Sequence, residues 1–327
     1  MARKASSPGG SMATRADSTI QAATVRPRGA AVRKWMWRRL WQPPPPDDPA
    51  GLPQPALFDP AAFRSGDALV WVGHATVLLH LGGRVWLTDP VWRRRVGPLP
   101  GLGPERRTPP GVPWAALPPV DRILLSHDHY DHLDAPALRR LARRFGPRLV
   151  VVAPPGYRRW LARRGLPRVV ELAWGQAWDD PPARVRAWPA QHWTRRGPCD
   201  TNRRGWSAWG LEVAGRKVFF AGDTGYGPHL AAIGGAWGPV DVALLPIGAY
   251  APREVMAPVH LDPEEAVRAY LDLGGRGALV PIHWGTFRLS DEPLDEPPRR
   301  LAAAWQAAGL PPERLWRLRP GEVRRLG

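Results

Sequence analysis

The chain lacks the features of a disulfide-stabilised or membrane-spanning protein. It has one cysteine, Cys199, among 327 residues, so no disulfide can join two of its segments, as is typical of a reducing compartment. No apolar run reaches the roughly 18 residues that span a bilayer. The first residues lack the apolar segment of a secretory signal. These absences predict a cytoplasmic protein, with peripheral contact at the inner face of the membrane as an alternative.

Acidic residues are also scarce. The chain carries 29 Asp and Glu against 46 Lys and Arg, a formal net charge of +17. Much of this excess lies in the first forty residues, and up to about Ala31 apolar periodicity is missing, which predicts disorder. We therefore expect a basic, largely disordered N-terminal tail over 1–46. One domain follows over 47–327, because a hydrophobic content of 44% suffices for a single large core.

Three tryptophans alternate with basic residues in 32–41, before Pro43–Pro46 stop any helix. One interpretation is a strap that packs its tryptophans on the domain. A second is peripheral contact with an anionic membrane surface, where indoles lie at the interface and cations meet headgroups. A third, which fits less well, is contact with a nucleic-acid backbone.

Histidines and acids are concentrated in one short run of the chain. His127, His129, Asp131 and His132 form the pattern H-x-H-x-D-H directly after the apolar residues 123–125. Three imidazoles and a carboxylate are costly to bury unless a cation offsets their desolvation. Neutral histidine nitrogens and carboxylate oxygens are the ligands that zinc prefers in hydrolytic sites. The pattern therefore predicts a loop that supplies ligands to two metal ions, rather than a solvated histidine-rich loop.

Three further candidate ligands lie far along the chain. Asp223 and His283 each directly follow an apolar, strand-like run, and His192 lies in Ala190-Gln191-His192-Trp193. A single histidine in such a place is more often a structural residue. Together with the H-x-H-x-D-H loop, however, the three complete the donor set of a dinuclear site.

The order of these residues resembles the metallo-β-lactamase superfamily over about residues 68–318. The resemblance implies an α/β fold, a four-layer αββα sandwich with two metal ions at one edge of its sheets. It also implies the ligand sets: His127, His129 and His192 on one zinc, Asp131, His132 and His283 on the other, and Asp223 between them. Zinc is expected because the related diiron oxidoreductases usually carry glutamate where His129 stands; iron or manganese in one position is the alternative.

Longer strings narrow the resemblance to one branch of the superfamily. They are WVGHAT (71–76), LTDPVW (87–92), SHDHYDHLD (126–134), LPIGAY (245–250), HLDPEEA (260–266) and HWGTF (283–287). This branch contains N-acyl-phosphatidylethanolamine-hydrolysing phospholipase D and its bacterial relatives, with ascorbate-6-phosphate lactonase-like proteins as neighbours. The resemblance implies a zinc phosphodiesterase that uses a metal-bridging hydroxide on a phospholipid or small-molecule substrate. Glu254-Val255 replace the aromatic pair expected there, which argues against lipid contact at that edge.

Three residues outside the ligand set are assigned supporting roles. Asp89 is expected to orient a ligating histidine, with a plain turn aspartate as the alternative. His74 lies near the site or makes a structural hydrogen bond. His260 precedes a helix start, where it protonates a leaving oxygen, binds phosphate or has no chemical role. Together with Asp131 and Asp223, His260 completes the residues predicted to be catalytic.

Two other functions compete with the phospholipase D-like hypothesis. One is a cytosolic lactonase or phosphoesterase that acts on a small anionic metabolite. The other, less favoured, is a nucleic-acid-binding protein or nuclease that uses the basic tail. The sequence does not determine the oligomeric state.

Alternation and capping signals outline the secondary structure of the domain. Helices are predicted after Asp134, after Asp262 and over about 298–308. Strands are predicted within 67–81 (two strands) and at 84–88, 123–125, 149–153, 217–221, 240–245, 278–282 and 315–318.

Overall fold

The computed structural model describes residues 20, 22, 24–27 and 29–327. Most of the stretch predicted to be disordered, residues 1–31, lies outside these residues, and its last three residues begin a helix. Within the described ranges, no helix has the length and apolarity that crossing a bilayer would require.

The described chain alternates between strands and helices. The strands are β1 (Ala68–Gly73), β2 (Thr76–Leu81), β3 (Arg84–Thr88), β4 (Arg122–Leu124), β5 (Val150–Ala153), β6 (Val169–Glu171), β7 (Ala177–Asp180), β8 (Ala183–Trp188), β9 (Ala208–Val213), β10 (Arg216–Phe220), β11 (Val242–Pro246), β12 (Ala278–Ile282) and β13 (Val323–Arg325). The helices are α1 (Gly29–Trp41), α2 (Pro60–Arg64), α3 (Ala135–Phe145), α4 (Arg158–Ala162), α5 (Pro228–Trp237), α6 (Arg253–Met256), α7 (Pro263–Asp272) and α8 (Glu296–Ala307).

The strands form two sheets, in the orders β13-β1-β2-β3-β4-β5-β6 and β12-β11-β10-β9-β8-β7. A tryptophan-rich core lies between them, with Trp71 and Trp86 from the first sheet and Trp209 and Phe219 from the second. Each of these side chains is buried, and large aromatic rings contribute the greatest apolar area per residue to such a core. The α/β sandwich predicted from the sequence is confirmed.

Helices cover the outer faces of both sheets. Leu138 and Leu141 of α3 pack with Leu78 and Leu87 on the outer face of the first sheet. Helices α7 and α8 lie against the second sheet, whose strands β11 and β12 are buried along their whole length. Full burial of these parallel strands explains why they read as continuous apolar runs. The result is four layers in the order α, β, β, α.

Capping residues set the starts of the helices beside the site. Asp134 accepts a hydrogen bond from the Ala137 N–H at the first turn of α3. Asp262 and Glu265 form a reciprocal capping box at the start of α7, with Pro263 in the first helical position. Both helix starts were predicted from the sequence, and both are confirmed.

Parallel pairing brings several strand ends to one edge of the sandwich. Strands β3 to β6 are parallel in the first sheet, and β10 to β12 are parallel in the second. Their carboxyl ends therefore point the same way within each sheet. The residues that follow β3, β4, β10 and β12 carry the predicted site.

One strand prediction is wrong, the terminal strand at 315–318. Leu315 forms only an isolated bridge to Leu279, and the last strand is β13, paired with the edge strand β1. Two of the three residues of β13 are exposed arginines, so the strand has no apolar alternation to reveal it. The unpaired edge of β1, rather than local propensity, selects this segment.

Candidate metal centre

The loop between β4 and α3 carries the H-x-H-x-D-H pattern to the edge of the sandwich. Leu125 still bonds the first sheet through its N–H to Val152 O, and the chain then leaves the sheet. The N–H groups of His132 and Leu133 bond His129 O at 3.1 and 2.8 Å, which closes a tight turn. This turn places Asp131 and His132 beside the two preceding histidines.

The first cluster of donors joins this loop to the second sheet. His127 Nε2 lies 2.9 Å from His129 Nδ1, and His192 Nε2 lies 3.2 Å from the same atom. Asp223 Oδ2 is 3.7 Å from both His127 Nε2 and His192 Nε2. One donor atom from each of these four residues lies within 4.8 Å of every other.

The second cluster uses the other half of the loop. His132 Nε2 and His283 Nε2 are 3.1 Å apart, and each lies 3.4 Å from Asp131 Oδ2. His74 Nε2 is a fourth donor, 2.9 Å from the same oxygen. The structure thus brings His74, which the sequence placed only near the site, into direct contact with Asp131.

Asp223 lies between the two clusters. Its Oδ2 is 3.2 Å from His132 Nε2, and its Oδ1 is 3.2 Å from His283 Nε2. The same carboxylate contacts His127 and His192 of the first cluster. Asp223 is thus within reach of both clusters, which is the position that the family resemblance implies for a carboxylate that would serve two ions.

Unpartnered polar atoms show that the donors fit bound metal. The buried atoms His129 Nε2, Asp223 Oδ1 and His260 Nδ1 accept or donate no hydrogen bond within the described chain. Orphaned polar atoms in a buried site carry a desolvation cost that a ligated cation removes. Six imidazoles and two carboxylates make up the two clusters, and each cluster offers the four donors of a tetrahedral site.

Burial keeps the first cluster of histidines neutral. It lowers the pKa of His127 and of His192 well below the usual value, and neighbouring imidazoles lower both further. Burial also lowers the pKa of His129. Neutral imidazoles present the free lone pairs that metal ligation requires.

The carboxylates reverse this effect in the second cluster. Burial alone would lower the pKa of His283, but Asp223 and Asp131 outweigh it and raise that pKa to about 9. Burial favours protonation of both carboxyls, yet His132 and His283 hold their pKa well below the usual range. A divalent cation here would replace the imidazole protons as the positive partner of the carboxylates.

Asp89 lies behind the metal loop, where the sequence analysis expected a supporting residue. Its Oδ2 accepts a hydrogen bond from His132 Nδ1 at 2.6 Å. Its Oδ1 accepts the Ser126 N–H at 2.7 Å, and the Ser126 hydroxyl donates to Oδ2. Ser126 was missed from the sequence, because a serine before a histidine carries no signal until the fold places it against Asp89.

His260 faces the donors from the start of α7. Its Nδ1 lies 3.9 Å from Asp223 Oδ2, and its side chain is 13% exposed. Burial lowers the pKa of His260 to about 4, so the ring is neutral at pH 7. His260 is therefore suited to accept a proton or to donate a neutral hydrogen bond, more than to act as an imidazolium acid.

A cavity of about 540 Å³ opens beside His129 and His260. Its walls are largely apolar, and arginines stand among them. The apolar lining is Val32, Trp35, Trp193, Val255, Met256, Val259 and Leu289, and the arginines are Arg26, Arg33 and Arg195. Residues 26–27 and the first half of α1 thus form part of the wall of a cavity at the donors, which was not predicted from the sequence.

Polar contacts hold α1 against the domain at this cavity. Trp35 Nε1 donates to Asp291 Oδ2 at 2.6 Å, and Arg39 Nε lies 3.2 Å from Asp291 Oδ1. Arg38 lies 3.6 Å from Glu254, one of the two residues that replace the expected aromatic pair. The face of α1 that carries Trp35, Arg38 and Arg39 therefore packs on the domain, in line with the strap interpretation.

Comparisons with known proteins find similar sequences over most of the domain. A family model described as "Beta-lactamase superfamily domain" matches residues 84–284. An "uncharacterized protein" of Mycobacterium tuberculosis is 42% identical over 263 residues, which is 79% of this chain and 69% of that protein. The N-acyl-phosphatidylethanolamine-hydrolyzing phospholipase D 1 of Caenorhabditis elegans is 39% identical over 234 residues, 68% of this chain and 65% of that protein.

A solved structure agrees at the level of the fold. Igni18, described as a novel metallo hydrolase from the archaeon Ignicoccus hospitalis, superposes with a TM-score of 0.60 at 23% identity. The match covers 79% of this chain and 97% of that chain.

Proposed function

We propose that this chain, which belongs to the metallo-β-lactamase superfamily and is a metal-dependent hydrolase, cleaves a phosphodiester with two zinc ions. The observation that carries the proposal is the cavity at His129 and His260, whose walls combine apolar side chains with arginines. Such a cavity suits a substrate with an apolar body and an anionic group beside the metals. The C. elegans relative, named for hydrolysis of N-acyl-phosphatidylethanolamine, supports a phospholipid of this class.

Zinc is the metal that the donor set favours. Nitrogen donors outnumber carboxylates, and zinc takes imidazole nitrogen readily, whereas magnesium and calcium prefer oxygen. His127, His129, His192 and Asp223 would hold one ion, and Asp131, His132, His283 and Asp223 the other. When bound, zinc supplies Lewis acidity, which activates water near neutral pH and polarises a phosphoryl oxygen.

The residues of the cavity wall orient the substrate and exclude water. Although the expected aromatic pair is replaced at Glu254-Val255, Val255 still lines the cavity, and with Met256 and Val259 it holds apolar parts of the substrate and excludes water from one side of the reacting group. Arg33 and Arg195 attract its negative charge through guanidinium donors. His260, neutral at pH 7, hydrogen-bonds an oxygen of the phosphodiester through its ring N–H.

The direct test is product analysis with zinc-loaded protein and N-acyl-phosphatidylethanolamine vesicles. We expect mass spectrometry to detect phosphatidic acid and N-acylethanolamine with the intact protein and neither with Asp223→Ala. Asp241→Ala is a matched control. Asp241 also lies at a strand end of the second sheet, directly before β11, but its side chain accepts the Lys217 N–H. Zinc bound without any lipid product would contradict the phospholipase assignment.

Assays with small soluble substrates distinguish the phospholipase proposal from the main alternative, a lactonase or phosphoesterase. Turnover of a soluble lactone or phosphomonoester, without lipid turnover, would point to a lactonase or phosphoesterase on a small anionic metabolite. The arginines of the cavity favour anionic substrates in either case.

We further propose that α1 contacts an anionic membrane surface. Met36, Trp37, Leu40 and Trp41 lie on one helical face and are 61 to 74% exposed. The opposite face carries the contacts to the domain, so the apolar face points away from it. Indoles with flanking arginines match the interface of an anionic bilayer, and a membrane there would lie beside the cavity.

Vesicle sedimentation tests this second proposal. Replacing Trp37 and Trp41 together by serine should weaken binding to phosphatidylserine-containing vesicles at least about tenfold, since each indole buries ~100 Å² or more at ~25 cal/mol/Å². Leu57→Ser with Leu271→Ser is the matched control, because both leucines are exposed elsewhere. Equal binding by all three proteins would exclude α1 as the contact.

A further inference from the structure

Five arginines line a second pocket, whose lining includes no residue of α1 and none of the metal donors. The pocket has a volume of about 520 Å³ and lies where α3, α4 and the segment before β9 meet. Its polar lining is almost wholly cationic. The residues are Arg139, Arg159, Arg163, Arg164, Arg204 and Trp160.

The positive charge of this pocket is largely uncompensated. The side chains of Arg139, Arg159 and Arg163 form no ion pair and no hydrogen bond within the described part of the chain. Arg204 is paired, with Asp128 Oδ2 at 2.8 Å and Asp200 Oδ2 at 3.4 Å. These three guanidiniums are exposed, so solvent screens their mutual repulsion in part, and an anion bound between them would offset the rest.

Arg164, which also lines the pocket, is affected by the same excess of positive charge. Partial burial lowers its pKa, and the nearby charges of Arg139 and Arg204 lower it further. Its Nε is buried without a hydrogen-bond partner. The Glu171 carboxylate, next along the chain, has other partners, because its Oε1 accepts three successive backbone N–H groups, of residues 156–158.

The residues that line the pocket favour a charged ligand over an aromatic one. The Arg164 guanidinium lies 3.4 Å from the centroid of the Trp160 ring, and that of Arg196 lies 5.5 Å from it. Since the Arg164 guanidinium already stacks on the indole, that face of Trp160 is closed to a nucleobase. Guanidinium forks, by contrast, match the oxygens of a phosphoryl group in geometry and charge.

We propose that this arginine pocket is an anion site for a terminal phosphoryl group, carried by a free phosphate compound or by a phosphomonoester lipid headgroup. Arg159, Arg163 and Arg139 supply the unpaired donors, and Arg164 is fixed beside them by its bond to Trp160 O at 2.8 Å. The site is separate from the metal centre and goes beyond the proposed function.

Residue-resolved protection tests this site in the metal-loaded wild-type protein. Phenylglyoxal modifies accessible arginines, and mass spectrometry follows the rate at each one with and without pyrophosphate. We expect pyrophosphate to slow modification of Arg159 and Arg163 severalfold and to leave Arg148 and Arg276 unchanged, which are exposed and lie outside the pocket. This readout is insensitive to phosphate bound at the metals.

Further arms distinguish the two sources of the phosphoryl group. Protection by pyrophosphate supports a soluble ligand, and protection by phosphatidic acid vesicles but not by phosphatidylcholine vesicles supports a lipid headgroup. Equal slowing at all four arginines, or no slowing in any arm, would overturn the site. Protection by a DNA oligonucleotide alone would also overturn it, in favour of a nucleic-acid surface.

A paired variant gives an independent check on the same proposal. Arg159→Gln with Arg163→Gln should weaken pyrophosphate binding at this site about tenfold or more in calorimetry, because charge-assisted hydrogen bonds are lost. Arg148→Gln with Arg276→Gln removes the same charge and should not. Arg204 is left intact, since its pairing with Asp128 supports the metal loop. Equal weakening by both pairs would reduce the effect to net charge and contradict the proposal.

Discussion

Replacing Asp89 by asparagine tests whether the residue behind the metal loop controls metal binding. Asp89 is fully buried and accepts hydrogen bonds from His132 Nδ1 and from the N–H and hydroxyl of Ser126. Burial raises the pKa of Asp89, and the contact with His132 opposes that shift. Asparagine keeps the shape and one acceptor oxygen. It removes the negative charge that fixes the His132 ring with Nε2 free for a metal.

The expected effect follows from this single contact. Loss of a carboxylate partner behind a ligating histidine typically costs 10- to 100-fold in metal affinity or activity, about 1.4 to 2.8 kcal/mol. If the proposed zinc ions are bound, we expect Asp89→Asn to hold the ion at His132 about 10 to 100 times less tightly. Competition with a chromophoric chelator measures the affinity. Turnover at saturating zinc then shows whether the loaded enzyme remains active.

Asp121→Asn is the matched control. Asp121 also accepts a backbone N–H across the first sheet, from Val85 at 2.9 Å, but it contacts no metal donor. Its replacement should lower stability slightly and leave zinc affinity unchanged. If Asp89→Asn bound zinc as tightly as the wild type, or if both variants lost affinity equally, the reasoning about His132 would be refuted.

Three further predictions concern pH and packing. His283, with a pKa near 9, must lose its proton to bind metal, so zinc affinity should rise at least about tenfold per pH unit between about pH 6 and pH 8 in chelator competition. Burial lowers the pKa of His229 to about 4. Because the unfolded value is about 6.5, stability should fall as pH drops from about 6.5 to about 4, by up to ~3 kcal/mol in urea unfolding, and His229→Gln should flatten this slope. Gly222 has φ +59°, and an added Cβ would lie 2.5 Å from Ser126 Cβ, so Gly222→Ala should cost ~2 kcal/mol or more. Gly215→Ala, at φ +82° with open space around it, should cost only ~1 kcal/mol, and equal losses would refute the clash.

The strands that deliver the candidate ligands were predictable because they are buried on both faces. The runs ending before His127, Asp223 and His283 are continuous and apolar, and the structure has β4, β10 and β12 there. The strands β7 to β9 were not predicted, although β8 does alternate, with Arg184 and Arg186 half-buried between buried apolar residues. Strand β7 alternates only weakly in burial. Pairing with β10, through β9 and β8, fixes the positions of all three.

The donors of the site were predictable, whereas their surroundings were not. Imidazoles and carboxylates in a fixed order carry a chemical signal by themselves. The contact of His74 with Asp131 joins residues 57 positions apart, and the cavity wall formed by α1 joins segments more than 200 positions apart. Such long-range contacts depend on how the layers pack, and local sequence patterns do not encode them.

Several residues at the site have strained backbone angles, and hydrogen bonds within the protein hold them there. His74, Asp89 and His283 have φ angles of 54°, 28° and 62°, which cost non-glycine residues roughly 1 to 3 kcal/mol each. Each is held by a hydrogen bond from its own N–H: His74 to Thr286 Oγ1, Asp89 to Leu124 O, and His283 to His74 O, at 2.9 to 3.0 Å. Because these bonds are made by the protein alone, the second cluster is arranged by the fold. Metal binding therefore need not bear the cost of bending the chain, and the binding free energy remains available for tight ligation.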